Sequence, residues 1–454
     1  MIPRISKATV ASFLALILVG TILLSLPVCT AGEGRLNLTQ ALFTATSAVC
    51  VTGLVVVDTP TTLSVFGQGV VLLLIQLGGL GILTLGTLVM LSVRGGADLE
   101  ARLFVRQTHG SSRLLGPLSL LRRVVGLTVA FEAAGAALLF LRFGYSDPRG
   151  WGLSAAWDAV FHAVSAFCNA GFALRSSSLE AYRGDPIVNL VVMTLIVAGG
   201  LGFLVLSEIL HFAAAPRAQR QWWRLSLHTR LVLVTSILLI VIGATFFAIF
   251  EAGNTLAHAS PAEKLLAPLF FSVTCRTAGF DTVTTGSVTA ATLVMALLLM
   301  TIGASPGSTG GGIKTTTAAT LALYAWSRMG GRRSPEVFGR RIPADQVAKA
   351  LATLSAFAAL VFLGGLGLQI AEVGLVAHRA ATDHYLDHLF EIVSALGTVG
   401  LSTGVTATLS TAGKLILVVL MFVGRLGPLV VGASLIGQRH PPPREYPAER
   451  ILIG

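Results

Sequence analysis

The chain has 454 residues, 54% of them hydrophobic and 12% charged, with a mean hydropathy of +0.80. These proportions exclude a soluble globular domain and place the chain in a bilayer. The formal charge of +11 does not point to nucleic acid: the basic residues lie in short loops between apolar runs, as the positive-inside rule produces, rather than in stripes interleaved with aromatics.

The first apolar run, Ala8 to Pro27, spans 20 residues, which is long enough to cross a bilayer and longer than the hydrophobic part of a signal peptide. Leu26-Pro-Val-Cys29 resembles a lipoprotein cleavage site, but Val28 stands where a small residue is needed. The run is therefore predicted to be a retained transmembrane helix. From there the chain repeats one plan: a spanning helix, a short half-polar helix, a loop and a second apolar helix. The predicted elements are Ala8–Cys29, Leu38–Val49 and Ser64–Leu91; Leu120–Phe143, Ser154–Phe167 and Pro186–His211; Leu225–Glu251, Pro261–Thr274 and Val288–Trp326; then Ala344–Leu375, His384–Leu396 and Thr411–Ile436. The units are 1–92, 93–215, 216–330 and 331–454. The short helices cannot cross about 30 Å of hydrocarbon, so they must enter and return. Non-helical backbone at that depth is tolerated only against protein or a water-lined cavity.

Two signals mark the repeat. The first is a polar segment ending in Gly-apolar: Ser47 to Gly53-Leu54, Ser165 to Gly171-Phe172, Val273 to Gly279-Phe280 and Ser394 to Gly400-Leu401. The second is a glycine-rich break ending on Gly81, Gly202, Gly307 or Gly427, at offsets of 28, 31, 28 and 27 residues. Two signals in register over four copies indicate one duplicated module. The fold class expected is all-α integral membrane, four repeats of helix, pore loop and helix around one pseudo-fourfold pore, because rings of backbone carbonyls can replace an ion's hydration shell. The main-chain oxygens of Val51-Thr52-Gly53, Asn169-Ala170-Gly171, Thr277-Ala278-Gly279 and Thr398-Val399-Gly400 are the candidate ion ligands, the glycines permitting dihedrals and approach that a Cβ obstructs.

The arginines Arg94, Arg102, Arg106, Arg113, Arg122 and Arg123, then Arg217, Arg220, Arg224 and Arg230, then Arg328, Arg332, Arg333, Arg340 and Arg341 crowd the three junctions between units. These junctions and both termini are expected on the cytoplasmic side. The pore loops then enter from outside, flanked by Asp58, Asp281, Asp383 and Asp387. The four cysteines, Cys29, Cys50, Cys168 and Cys275, show no metal-ligand spacing and are expected as free thiols. No ligand spacing emerges among the outer histidines His378, His384 and His388. Asp158 and Glu391, in the second and fourth short helices, are expected to support helix or loop amides.

Gly303-Ala-Ser-Pro306-Gly307-Ser-Thr-Gly310-Gly311-Gly312-Ile-Lys314 interrupts the last helix of the third unit. A proline and five glycines predict an unwound stretch. It is not a phosphate-binding loop, since Ile313 separates glycine from lysine and no strand precedes it. Arg425, in Phe422-Val-Gly-Arg-Leu-Gly-Pro428, is costly near mid-helix and is expected to face water, a partner or the pore.

The four loops, with the tetrad Arg276-Thr-Ala-Gly279 among them, resemble the degenerate filter loops of the Trk/Ktr/HKT potassium transporter superfamily over essentially the whole chain. The likeness is greatest to the Ktr-type membrane subunit, because Trk-type relatives carry two extra leading helices. In that superfamily glycine in all four loops accompanies potassium selectivity, and serine in the first accompanies sodium transport, so the resemblance implies K⁺ uptake at filter carbonyls. It also implies an intramembrane gate at Pro306, Gly307, Gly310, Gly311, Gly312 and Lys314, with Arg425 as an electrostatic part of the constriction. Further implications are a homodimer in the cytoplasmic (inner) membrane in contact with lipid, a cytosolic RCK-type ring that binds nucleotide, and a tail at Glu449–Gly454 near that ring. Na⁺ is a possible second ion. The alternatives are a Trk-like proton-coupled or sodium-preferring relative and, more distantly, a membrane enzyme; no HExxH, paired aspartates or Ser/His constellation supports the last.

Overall fold

The structure, a computed structural model, describes residues 2–32, 34–81, 117–146, 150–217, 220–332, 334–376, 384–428 and 430–432. The arginines predicted at 94–113, Arg333, His378, Asp383 and the Glu449–Gly454 tail lie outside the described residues. The described chain is mostly helical: α1 Ile2–Leu24, α2 Leu38–Val49, α3 Val65–Gly79, α4 Pro117–Ser146, α5 Leu153–Cys168, α6 Pro186–Leu201 and α7 Phe203–Ala214 come first. Then follow α8 Leu227–Phe250, α9 Pro261–Thr274, α10 Ala290–Thr301, α11 Thr315–Met329, α12 Ala344–Glu372, α13 Tyr385–Gly397 and α14 Thr411–Leu426. A two-residue hairpin, Glu336–Val337 with Arg340–Arg341, joins α11 to α12.

Among the described residues four helices contain stretches long and apolar enough to cross a membrane: Lys7–Leu24, Leu121–Tyr145, Leu227–Phe250 and Ala344–Glu372, with mean hydropathies of 2.1, 2.1, 2.7 and 2.1. Each is followed by one of the short helices α2, α5, α9 and α13. Of these, α2 and α9 begin where local chemistry starts them. Asn37 with Gln40 and Ser260 with Glu263 form reciprocal capping boxes, in which two amides that lack an intrahelical partner are satisfied. Ser64, Asp185, Ser226, Thr289 and Ser410 cap the second apolar helices and α8 by accepting from backbone N–H groups.

The helices close on themselves. The second apolar helix of each group packs on the short helix of the next: α3 on α5, α6 on α9, α10 on α13, and α14 back on α2. Glycines permit the companion contact within the first, second and fourth groups. A Cβ at Gly78, Gly199 or Gly424 would lie 1.9, 1.9 or 2.0 Å from the carbonyl oxygens of Val49, Phe167 and Leu396, in the final turns of α2, α5 and α13. Buried clusters around Phe43 and Leu396, Phe167 and Phe280, and Phe271 and Val399 fill the space between groups.

The structure corrects the predicted second helices. Ser64–Leu91 ends as an assigned helix at Gly79, with 82–91 outside the described residues. Pro186–His211 is two helices, α6 and α7, bent by 111° at Gly202. Val288–Trp326 is α10 and α11, separated by residues 302–314. At the bend, the 302–314 loop occupies the space a straight α6 extension would need. A Cβ on Gly202 would sit 2.6 Å from the Pro306 carbonyl oxygen.

Candidate functional site

The four Gly-apolar loops follow directly from the C-terminal ends of α2, α5, α9 and α13, and they meet. A Cβ at Gly53 would lie 2.4 Å from Ala170 O; at Gly171, 2.8 Å from Ala278 O; at Gly279, 2.6 Å from Val399 O; at Gly400, 2.1 Å from Thr52 O. These contacts run around a circuit and return to its start. All four glycines are left-handed, at φ +93°, +68°, +75° and +96°, so both space and backbone exclude a side chain. Two residues earlier Val51, Asn169, Thr277 and Thr398 are also left-handed, at φ 55°, 61°, 73° and 49°. For the β-branched Val51, Thr277 and Thr398 this is a strained conformation, the kind that persists where surrounding structure enforces it.

That enforcement is visible. Thr52, Ala170 and Val399 donate from N–H to the carbonyls of Ser47, Ser165 and Ser394, and Ala278 donates to Thr274. Ser47 and Ser394 hydroxyls accept from the ring glycines Gly53 and Gly400 at 3.0 and 3.1 Å. Ser165 instead donates to Phe172 O at 2.7 Å. The third loop has Val273 in the serine register, and Thr274, one residue on, both accepts from and donates to Phe280 at 2.9 and 2.8 Å. The carbonyl ends of four short helices thus converge on one centre, which favours positive charge there. The hydroxyls of Thr52, Thr277 and Thr398 are buried with no hydrogen-bond partner among the described residues.

Against this ring lies the 302–314 loop. Its ends are joined by a parallel bridge between Ile302 and Ile313. A Cβ on Gly310 would come within 2.1 Å of the Thr277 hydroxyl and one on Gly311 within 2.2 Å of the Thr398 hydroxyl. The loop is tied to α6 and α7: Ser305 N–H donates to Gly200 O, Thr309 N–H to Gly199 O, and Phe203 N–H to Gly307 O, at 3.0, 3.2 and 3.1 Å. Lys314 folds back to donate to Gly310 O at 2.6 Å. Arg425, from α14, donates to the carbonyls of Thr309 and Gly78, so its partners are backbone carbonyls of the loop and of α3. The second-signal glycines Gly81, Gly202, Gly307 and Gly427 are all left-handed too, at φ +75°, +89°, +71° and +87°. The structure therefore brings every candidate residue of the four loops and of the interrupted segment into one neighbourhood.

Other charged groups support this centre from behind. Glu391, fully buried, accepts from Thr403 N–H and from the hydroxyls of Ser402 and Thr406 just past the fourth loop. Asp158 takes side chains instead of amides: Arg175 at 2.5 Å and His162 at 2.8 Å. Glu132, in the middle of α4, is a site residue that the motifs did not single out. It accepts from Gln76 of α3 at 3.2 Å and from the Cys168 thiol at 3.8 Å, beside the second loop. Its signal was present in the sequence as a lone acid within a 30-residue apolar helix. The four cysteines are free and buried.

Apolar spans enclosing short helices whose carbonyl ends and strained loops meet at one point define an integral membrane protein built around a cation-favouring centre. A sequence model of the TrkH family, described as a cation transport protein, matches residues 6–436. The chain is 39% identical over 419 residues to Ktr system potassium uptake protein B of Bacillus subtilis, covering 92% of this chain and 89% of that one. It is 34% identical to the protein of the same name from Vibrio alginolyticus, covering 98% and 93%. It is also 34% identical to the potassium/sodium uptake protein NtpJ of Enterococcus hirae, covering 98% and 96%. The crystal structure of the potassium transporter TrkH from Vibrio parahaemolyticus shares the fold, with a TM-score of 0.69 at 22% identity over 93% of this chain and 84% of that one. The chain belongs to the TrkH cation transport family, which is a family of transporters and not of enzymes.

Proposed function

We propose that this protein takes up K⁺ through a single axial pore formed by four repeats, 1–92, 93–215, 216–330 and 331–454, with the ring of four loops as its selectivity filter. The observation that carries the reading is the closed circuit of left-handed glycines at Gly53, Gly171, Gly279 and Gly400. Carbonyls of residues 51–53, 169–171, 277–279 and 398–400 replace the ion's water, and helix ends add negative potential. The unpartnered hydroxyls of Thr277 and Thr398 are covered by Gly310 and Gly311 of the loop and would meet a hydrated ion once the loop moves away. Two relatives named as potassium uptake proteins support K⁺ as the cargo.

Residues Gly303–Lys314 act as the gate. The loop lies against Thr277 and Thr398, where it blocks the path, and Arg425 and Lys314 place positive charge beneath the filter. A low dielectric magnifies their repulsion of K⁺. The protein works as a homodimer in the cytoplasmic membrane, junctions and termini inward, with a cytosolic nucleotide-binding RCK-type ring acting on the gate. The relative named for potassium and sodium uptake favours keeping Na⁺ as a second, coupled or activating ion; proton coupling is the remaining alternative.

The test is K⁺ and Na⁺ flux into proteoliposomes at several pH values, together with growth of a potassium-uptake-deficient cell with and without Na⁺. K⁺ influx without any other substrate is expected, and its absence would overturn the reading. In Gly53→Ser the added Cβ and hydroxyl should reduce the K⁺ over Na⁺ preference by about tenfold, the equivalent of roughly 1.4 kcal/mol. Unchanged preference would remove Gly53 from the filter.

A further inference from the structure

We propose that an anionic phospholipid binds in the groove between α10, α11 and α12, its acyl chain lying on the bridge that closes the 302–314 loop. The groove has a volume of about 490 Å³, within the ~300–1,000 Å³ range of small-ligand sites. Its lining includes Leu298, Thr301, Ile302, Ile313, Leu321 and Leu354. The threonine hydroxyl is turned inward, donating to Leu297 O at 2.8 Å, so the surface offered is apolar. Leu298 and Leu354 are 54% and 40% exposed on helices that the bilayer surrounds. Hydrocarbon is the medium that fills such a groove without leaving a void.

Headgroup chemistry comes from one end of the same helices. Tyr324 and the 75% exposed Trp326 stand about 5 to 8 Å along α11 from Leu321, at the depth where aromatic side chains mark the membrane surface. Immediately beyond lie Arg328, Arg332, Arg340 and Arg341, all exposed and without an ion pair among the described residues. Two acids, Glu336 and Asp345, share that region, and Asp345 is engaged by Lys349 at 3.6 Å. A zwitterionic headgroup gains little there. An anionic one meets several guanidiniums, which attract anionic headgroups at a membrane surface.

The floor of the groove gives the site its consequence. Ile302 and Ile313 are joined by Gly303 N–H to Ile313 O and Ile313 N–H to Thr301 O, at 3.0 and 3.1 Å. This bridge marks where the loop leaves and re-enters helix. A conformation that opened it would dismantle the groove. Bound lipid therefore favours the loop position seen here, through its differential affinity for the two conformations. This last step rests on the gate reading above; the lipid site does not.

The test uses the full chain reconstituted in phosphatidylcholine vesicles, with spin-labelled phosphatidylglycerol or spin-labelled phosphatidylcholine as probe. The protein should immobilise phosphatidylglycerol several-fold more strongly than phosphatidylcholine. The double substitution Arg328→Gln with Arg332→Gln should erase the preference, and the groove-filling Leu298→Trp should remove one immobilised lipid per chain. No preference, or a preference untouched by both variants, overturns the site. So does efficient disulfide formation between two chains through Ala318→Cys, which would assign the groove to a second copy. K⁺ influx measured in the same vesicles keeps the readings apart. Phosphatidylglycerol should slow it in the wild type and not in Leu298→Trp, whereas absence of K⁺ influx from all proteins would strike the function and leave the spin-label result to judge the site.

Discussion

At Gly400 a Cβ would press to 2.1 Å from the Thr52 carbonyl oxygen, whereas at Gly427 it would meet nothing within 4 Å; both backbones are left-handed, at φ +96° and +87°. The contrast separates backbone strain from disruption of the ring. Gly427→Ala should cost about 1 kcal/mol in stability and leave ion preference alone. Gly400→Ala should carry a similar strain and also shift the K⁺ to Na⁺ uptake ratio. Thermal unfolding in detergent and paired flux measurements distinguish them, and an unaltered ratio in Gly400→Ala would sink the proposed filter. Glu132 offers a second comparison. Glu132→Gln keeps an acceptor for the Gln76 amide, while Glu132→Leu strands it; the leucine variant should be less stable by about 1–3 kcal/mol, the glutamine variant by much less. Equal melting temperatures would show that the cluster does not support the second loop.

Element boundaries were legible in the sequence where chemistry local to the chain sets them. The predicted Leu38–Val49 and Pro261–Thr274 coincide with α2 and α9 because Asn37, Gln40, Ser260 and Glu263 satisfy the first-turn amides from within a few residues. The glycine-rich break at Gly202 was legible, but its 111° angle was not, because Pro306 and Gly307, a hundred residues away, lie against it. Glu251 shows capping across such a distance. At the end of α8, it accepts from Thr289 N–H and the Thr292 hydroxyl at the start of α10, at 2.8 and 2.5 Å, and from Thr255 and Asn254. Burial works to raise its pKa, but these hydrogen bonds outweigh burial and hold the carboxyl below the ordinary glutamate range. A depressed native value means that its stabilising contribution is present above the unfolded pKa, about 4.3, and disappears as pH falls through the native one. Melting temperature should therefore drop between pH 6 and about pH 3 in part through Glu251. Glu251→Gln should be less stable at neutral pH and show a shallower acid limb; parallel curves for the two proteins would rule this role out.

For the whole molecule, the decisive contacts join segments from opposite ends of the chain. Arg425 donates to Thr309 O and Gly78 O, linking α14 to the interrupted segment and to α3. A buried acid was one conceivable partner; the partners are carbonyls, so removing the guanidinium strands no carboxylate. Arg425→Gln should fold in normal yield, raise K⁺ uptake per molecule several-fold by lowering a positive barrier and releasing the loop, and leave the K⁺ to Na⁺ ratio nearly unchanged. Normal yield without any gain in rate would remove Arg425 from the barrier. Membrane residence, the loop glycines and the unwound Gly303–Lys314 segment follow from composition and the dihedral demands of glycine and proline, all of which act within a few residues. Tertiary structure alone decides that α14 closes on α2, that each ring glycine abuts a carbonyl of the next loop, and that Glu132 reaches Cys168. Those outcomes depend on which backbone comes within 3 Å of which, and contacts between residues dozens to hundreds of positions apart leave no periodic mark on the chain that makes them.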